Sequence, residues 1–348
     1  MKTTAQNKLL NDSEINECRV KLASKPLSLL VALTSRCNLQ CKMCSGRSQK
    51  NEIISPKVKK EIISLFPYLE KIAWGGGEVF LYPDFNELLD EAARYSIKQE
   101  ITTNGLLMTE EYAEKFVKYN ISLNISIDGT TKEVYESIRQ GAKFEELISK
   151  LELINKIKNN IDPAYRMRLN VVVMKDNYHQ LESFVEFAYK YGFKDIFAFM
   201  IFGNNNSQDI FVSHRDNEIL SKLKNILHRT NEESEKLGIY FNTNITADIL
   251  NTGKTEEKPR PGKKAENPAR KIACIAPWQA LDVDMHGDVS PSVSCCCKFI
   301  VGNLNDNSME EIWNGEKMTE HRKSIVSGSI DSVCTLKKTY GRVPVEVL

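Results

Sequence analysis

The strongest constraint on the fold is a regular alternation, from about residue 27 to 200, of short β-rich runs with amphipathic helical stretches. LSLLVALT (27–34) reads as a buried strand, and KIAWG (71–75), QEITT (99–103), ISLNISID (121–128), MRLNVVVM (167–174) and DIFAFM (195–200) as five more. Between them, residues 56–65, 84–93, 109–118, 145–157 and 180–191 carry helical periodicity. Strands alternating with helices imply right-handed crossovers and a parallel sheet. In a chain of 348 residues, six such units fit an α/β, incomplete (β/α)6 TIM-like barrel over 27–210 better than a closed eight-stranded one. Residues 1–26 form an N-terminal extension to it.

Beyond the barrel the pattern changes. Residues 211–273 read as a helical connection followed by a basic linker, NTGKTEEKPRPGKKAENPARK (251–271), which lacks apolar periodicity and suits a solvated loop better than a binding patch. A small cysteine-rich α+β module is expected over 274–348. It has hairpin arms at 279–285 and 289–293 around His286–Gly287–Asp288, and helices over 309–313 and 317–325.

A formal net charge of +1 calls for neither nucleic acid nor an anionic membrane as partner. No apolar run approaches the roughly 20 residues that span a bilayer, and the N-terminus has no signal-peptide core, so a cytoplasmic protein is expected. The nine cysteines are an odd number and, Cys18 apart, clustered: Cys37, Cys41 and Cys44; Cys274; Cys295, Cys296 and Cys297; and Cys334. In a chain this long, that distribution favours metal or redox chemistry over a disulfide framework.

The first group is the most informative. Cys37, Cys41 and Cys44 form a CxxxCxxC loop directly after the first strand, on the barrel face where chemistry is done. Three thiolates in one short loop suit an iron–sulfur cluster and leave one iron of a four-iron cluster open. A zinc site lacking its fourth ligand and buried free thiols are the alternatives. Trp74–Gly75–Gly76–Gly77–Glu78–Val79 ends the second strand, where glycines let backbone groups approach a ligand closely. Thr103–Asn104–Gly105 ends the third strand, with Thr109 as helix N-cap. Ser126 and Asp128 share a face at the end of the fourth and suit a ribose diol; alternatively, Asp128 caps the next helix.

Together these motifs resemble the radical S-adenosylmethionine (SAM) superfamily. The resemblance implies a [4Fe–4S] cluster on Cys37, Cys41 and Cys44, whose open iron is chelated by SAM. Reductive cleavage of SAM would then give a 5′-deoxyadenosyl radical that abstracts hydrogen from a substrate C–H, with flavodoxin or ferredoxin as electron donor. It places Met43, where relatives carry an aromatic residue, beside the adenine, and Gly76, Gly77 and Glu78 at the methionine amino group, with Val79 replacing a proline. Ser126 and Asp128 fall to the ribose and Arg139 to the SAM carboxylate, with Asn170 as a further candidate.

Cys274–Ile275–Ala276–Pro277–Trp278, Gly287, Val301–Gly302–Asn303–Leu304 and Glu311–Ile312–Trp313–Asn314 resemble the auxiliary-cluster modules called SPASM or twitch. Ser290–Ser294 stands where relatives carry a cysteine, and Cys334 lacks a CxxC partner, so one second [4Fe–4S] cluster is expected rather than two. It would use Cys274, one or two of Cys295, Cys296 and Cys297, and Cys334, with zinc on the same thiols as the alternative. A leftover cysteine would be a hydrogen-atom donor or an inert buried thiol.

Relatives with such modules act on peptides or on sugars and aminocyclitols. Only about 26 residues precede the first strand, too few for a folded leader-binding domain. Oxidation or epimerisation of a sugar- or aminocyclitol-like small molecule is therefore the main expectation. The alternatives are a peptide (RiPP) maturase or epimerase and, in another class, a non-catalytic iron–sulfur carrier or scaffold.

Overall fold

The computed structural model describes residues 3–44, 51–201, 206–212, 214–251, 274–291 and 299–328. Its spine is a parallel run of seven strands: β1 (Ser28–Thr34), β2 (Lys71–Gly76), β3 (Lys98–Thr103), β4 (Ser122–Ser126), β5 (Met167–Val173), β6 (Asp195–Met200) and β7 (Tyr240–Thr243). The helices around them include α2 (Pro56–Ser64), α3 (Phe85–Arg94), α4 (Glu110–Lys118), α5 (Lys132–Ile138), α6 (Phe144–Ile161), α7 (Leu181–Lys190), α8 (Asn217–Leu237) and, after β7, α9 (Ala247–Asn251). This is the incomplete α/β barrel that the alternation predicts, carried one strand further: β7 lies in the stretch expected to be helical connection.

Side chains alternate across each strand. Leu29, Val31 and Leu33 of β1, with Ile72 and Trp74 of β2, face outward and are buried beneath the helices. Trp74 packs edge-on to Phe85 of α3 and donates its indole N–H to Gln99 at 3.0 Å. Helix starts follow ordinary capping chemistry: Ser55, Thr109, Thr131 and Asp216 each accept a backbone N–H of the following turn. Thr131, not Asp128, is the cap after β4.

The C-terminal hairpin is not a separate sheet. After α10 (Ala276–Gln279), β8 (Ala280–Val283) pairs parallel to β1, and β9 (Asp288–Ser290) and β10 (Gly302–Asn303) follow antiparallel. The ten strands make one sheet, in the order β10–β9–β8–β1–β2–β3–β4–β5–β6–β7. Gly287 turns the hairpin at φ +83°, a conformation that suits glycine.

The N-terminal extension is woven into this module. Helix α1 (Thr4–Asn16) buries Asn7, Asn11 and Glu14 rather than an apolar stripe. These side chains bond backbone groups: Asn7 with Lys25, Asn11 with the Trp278 carbonyl at 2.6 Å, and Glu14 with the Ala23 and Ser24 N–H groups. Trp278 donates to the Arg19 carbonyl, and Trp313, at the end of α11 (Met309–Trp313), donates to that of Ser24. Arg322 of α12 (Glu316–Val326) is fully buried, lies 4.3 Å over the Trp313 ring, and donates to the carbonyls of Pro277, Val20 and Trp313. One guanidinium thus ties residues from both ends of the described chain.

Arg322→Met keeps the stem but strands three carbonyls. Unmet buried acceptors cost about 1–3 kcal/mol each before water re-enters, so a loss of about 3 kcal/mol is expected in chemical denaturation. Arg322→Lys should recover only part of it.

Candidate functional site

The C-terminal ends of β1 to β5 carry the predicted motifs, and the backbone explains how they meet. Past Thr34, the cysteine loop runs beside the glycine loop: Gly77 N–H donates to the Thr34 carbonyl at 2.6 Å and Glu78 N–H to that of Arg36 at 2.7 Å. Such an approach excludes side chains. A Cβ on Gly77 would lie 2.1 Å from the Arg36 oxygen, and one on Gly76, at φ +118°, 2.4 Å from that of Thr34. The Gly76 and Gly77 backbone remains exposed beside the cysteines.

On its other side the loop is held by the turn that ends α5. Gln40 N–H donates to the Gln140 carbonyl and Lys42 N–H to that of Ile138, at 2.8 and 2.9 Å. Within this clamp Cys37 and Cys44 are exposed and Cys41 is buried. Burial pushes the Cys41 thiol up to about 11, against the pull of Arg139, whose guanidinium stands 3.9 Å from the sulfur. A metal taken up here must displace that proton.

Glu78 is buried with both oxygens engaged, by the Thr103 hydroxyl at 2.6 Å and the Asn104 N–H at 2.9 Å. Asn104 in turn donates to the Asn38 side chain inside the cysteine loop at 2.8 Å. Burial raises the Glu78 carboxyl, and the Thr103, Asn104 and Phe80 hydrogen bonds oppose it. Glu78 therefore couples the ends of β2 and β3 to the cysteine loop.

Asp128 and Arg139 meet directly: the guanidinium lies 2.7 Å from Asp128 Oδ2, and the Val172 N–H donates to Oδ1 at 2.8 Å. Both are buried, and burial raises the Asp128 carboxyl while Arg139 pulls it down. A carboxylate so committed fixes Arg139 under Cys41. Ser126, half-buried, stands in register with Asn170, whose Oδ1 is buried with no partner among the described residues, and the two face the barrel interior. Met43 packs against the buried trio Ile138, Met174 and Ile201. Sequence reading missed the Asp128–Arg139 pair because its partners are 11 residues apart across a turn and a helix.

The donor set suits an iron–sulfur cluster. Among the described residues no three His, Cys, Asp or Glu side chains converge as a single metal ion requires. Cys37 and Cys44 nonetheless lie close enough to Cys41 to push its thiol up further, and ligands of a four-iron cluster stand farther apart than those of one ion. The bare glycine backbone and the unpartnered Asn170 oxygen suit a polar ligand such as SAM. Cys274 is buried at the start of the C-terminal module; Cys295, Cys296, Cys297 and Cys334 lie outside the described residues. No described helix is long and apolar enough to cross a membrane.

Two substitutions test this geometry. Gly77→Ala overpacks the loop contact and should cost about 1–3 kcal/mol, with iron uptake on reconstitution reduced. Asp128→Asn leaves Arg139 as a buried unpaired charge and should cost about 3–5 kcal/mol in denaturant melts, and Asp128→Asn with Arg139→Gln should recover part of that loss.

Comparison with known proteins agrees with this geometry. Residues 31–188 match the radical SAM superfamily, and residues 274–336 match the SPASM iron–sulfur cluster-binding domain. The mycofactocin maturase MftC of Mycobacterium tuberculosis is 31% identical over 174 residues, 48% of this chain and 43% of MftC. The antilisterial bacteriocin subtilosin biosynthesis protein AlbA of Bacillus subtilis is 26% identical over 297 residues, 83% of this chain and 60% of AlbA. The chain therefore spans less than two thirds of the length of either relative. Streptococcus suis SuiB bound to S-adenosylmethionine shares the fold, with TM-score 0.66 at 17% identity over 90% of this chain and 71% of SuiB. SuiB has also been crystallised with its precursor peptide SuiA, and that structure matches with TM-score 0.65 at 18% identity over 92% of this chain and 71% of SuiB. Both cysteine-bearing regions are thus matched: the chain carries a radical SAM domain over 31–188 and a SPASM domain over 274–336, a pairing that implies SAM and a [4Fe–4S] cluster, with auxiliary cluster binding in the C-terminal domain.

Proposed function

We propose that the protein is a radical SAM peptide maturase. The observation that carries this reading is the reach of the AlbA match, which covers 83% of this chain and so extends well beyond the 158 residues of the radical SAM match at 31–188. The named maturase and bacteriocin-biosynthesis relatives favour a peptide over the sugar- or aminocyclitol-like substrate first expected.

When bound, the cluster and SAM supply one-electron cleavage of a C–S bond and a primary carbon radical. The chain's own part is to hold and shield. Cys37, Cys41 and Cys44 would hold the cluster, with Arg139 offsetting negative charge at Cys41. The Gly76–Gly77 backbone, with Glu78 fixing its shape, would receive the methionine end of SAM, and Ser126 with Asn170 the ribose. Phe197 and Phe199, stacked at 5.2 Å on β6, would help exclude water from the interior. Flavodoxin or ferredoxin would supply the electron.

The test is anaerobic reconstitution with iron and sulfide, reduction with dithionite, and mass-spectrometric assay of 5′-deoxyadenosine from SAM, with and without short peptides encoded beside the gene. Product from wild type, absent from Cys41→Ala and raised at least tenfold by one peptide, is the expected result. Full iron content with no product would favour a non-catalytic carrier, and product raised by a sugar instead would overturn the peptide substrate.

A further inference from the structure

Among the described residues, no donor meets the free oxygen of Asp282. It lies on β8 in register with Leu30 of β1 and opposite Ser290 of β9. Leu281 and Val283, its neighbours along the strand, pair with Leu29 and Val31 and are buried with the outward-facing core. By alternation Asp282 faces the other way, into the barrel interior, on the same face as Leu30, Ala73 and Glu100. The residue is half-buried, yet its Oδ2 is buried with no hydrogen-bond partner among the described residues. Glu100, on the same face, is already met by Lys71 at 2.7 Å and by Asn124 at 2.7 Å.

A buried acceptor without a donor costs free energy unless a ligand brings the donor. Burial alone pushes this carboxyl up to about 7, with no charged neighbour contributing. Because β8 joins the sheet at β1, whose end carries the cysteine loop, Asp282 sets a carboxylate of the C-terminal domain on the inward face of the radical SAM strands.

We propose that Asp282 is a substrate-binding residue supplied to the barrel interior by the SPASM domain, and that its free oxygen receives a backbone N–H of the peptide substrate. The choice of a peptide rests on the function proposed above; the site itself rests on strand register and burial.

The reconstituted holoenzyme is treated with N,N′-dicyclohexylcarbodiimide, which modifies protonated carboxyls in apolar surroundings, and labelled residues are mapped by mass spectrometry. Asp282 should be labelled ahead of surface carboxylates at pH 6.5 and at least tenfold more slowly at pH 9; an unlabelled Asp282 overturns its placement. Asp282→Asn is then compared with wild type in the SAM-cleavage assay across a range of peptide concentrations. Its KM for a stimulating peptide should rise at least tenfold, and Asp282→Glu should recover part of the loss. An unchanged KM overturns the binding role. If no peptide stimulates wild type, the peptide reading fails, and the labelling result still decides whether Asp282 faces an accessible interior.

Discussion

The site depends on a clamp of backbone hydrogen bonds around a loop that has no regular structure of its own. Residues 35–44 form neither helix nor strand, so the positions of three thiols are set by what the loop is tied to. On one side the glycine loop after β2 lies against Thr34 and Arg36; on the other, the end of α5 receives Gln40 and Lys42. Each tie is a backbone group, insensitive to side-chain rotamer. The path of the loop is therefore set by the barrel elements that it is bonded to.

Two buried carboxylates reinforce the clamp. Glu78 spends both oxygens on the end of β3, and Asp128 holds Arg139 beneath Cys41. In each, partners within the fold fix where the carboxylate stands. Each trades a desolvation cost for a fixed neighbour, the usual exchange at a site that must be shaped before its ligand arrives. Asn170 and Asp282, each with a buried oxygen that no donor meets among the described residues, mark where that exchange is incomplete.

Much of the barrel is legible in the sequence because alternating strands and capped amphipathic helices satisfy local and global demands together. What escapes is informative. Strand β7 is only four residues, YFNT, with no apolar run to announce it. Helix α1 is stabilised by Asn7, Asn11 and Glu14 bonding distant backbone, so hydrophobic periodicity does not reveal it. The union of the N-terminal segment with the C-terminal domain rests on contacts such as Arg322 to Val20, about 300 positions apart in the chain. Spacing finds the three cysteines and the glycine loop; it does not show that Asp128 and Arg139 answer each other.

The central claim is that the clamped loop holds a cluster with one iron open to SAM. Electron paramagnetic resonance of the dithionite-reduced, reconstituted protein, recorded with and without SAM, tests it most directly. The account predicts a [4Fe–4S]⁺ signal whose g values shift when SAM is added, with the shift lost when Cys37, Cys41 and Cys44 are all replaced by alanine. A reduced-cluster spectrum indifferent to SAM in the wild-type protein would contradict it.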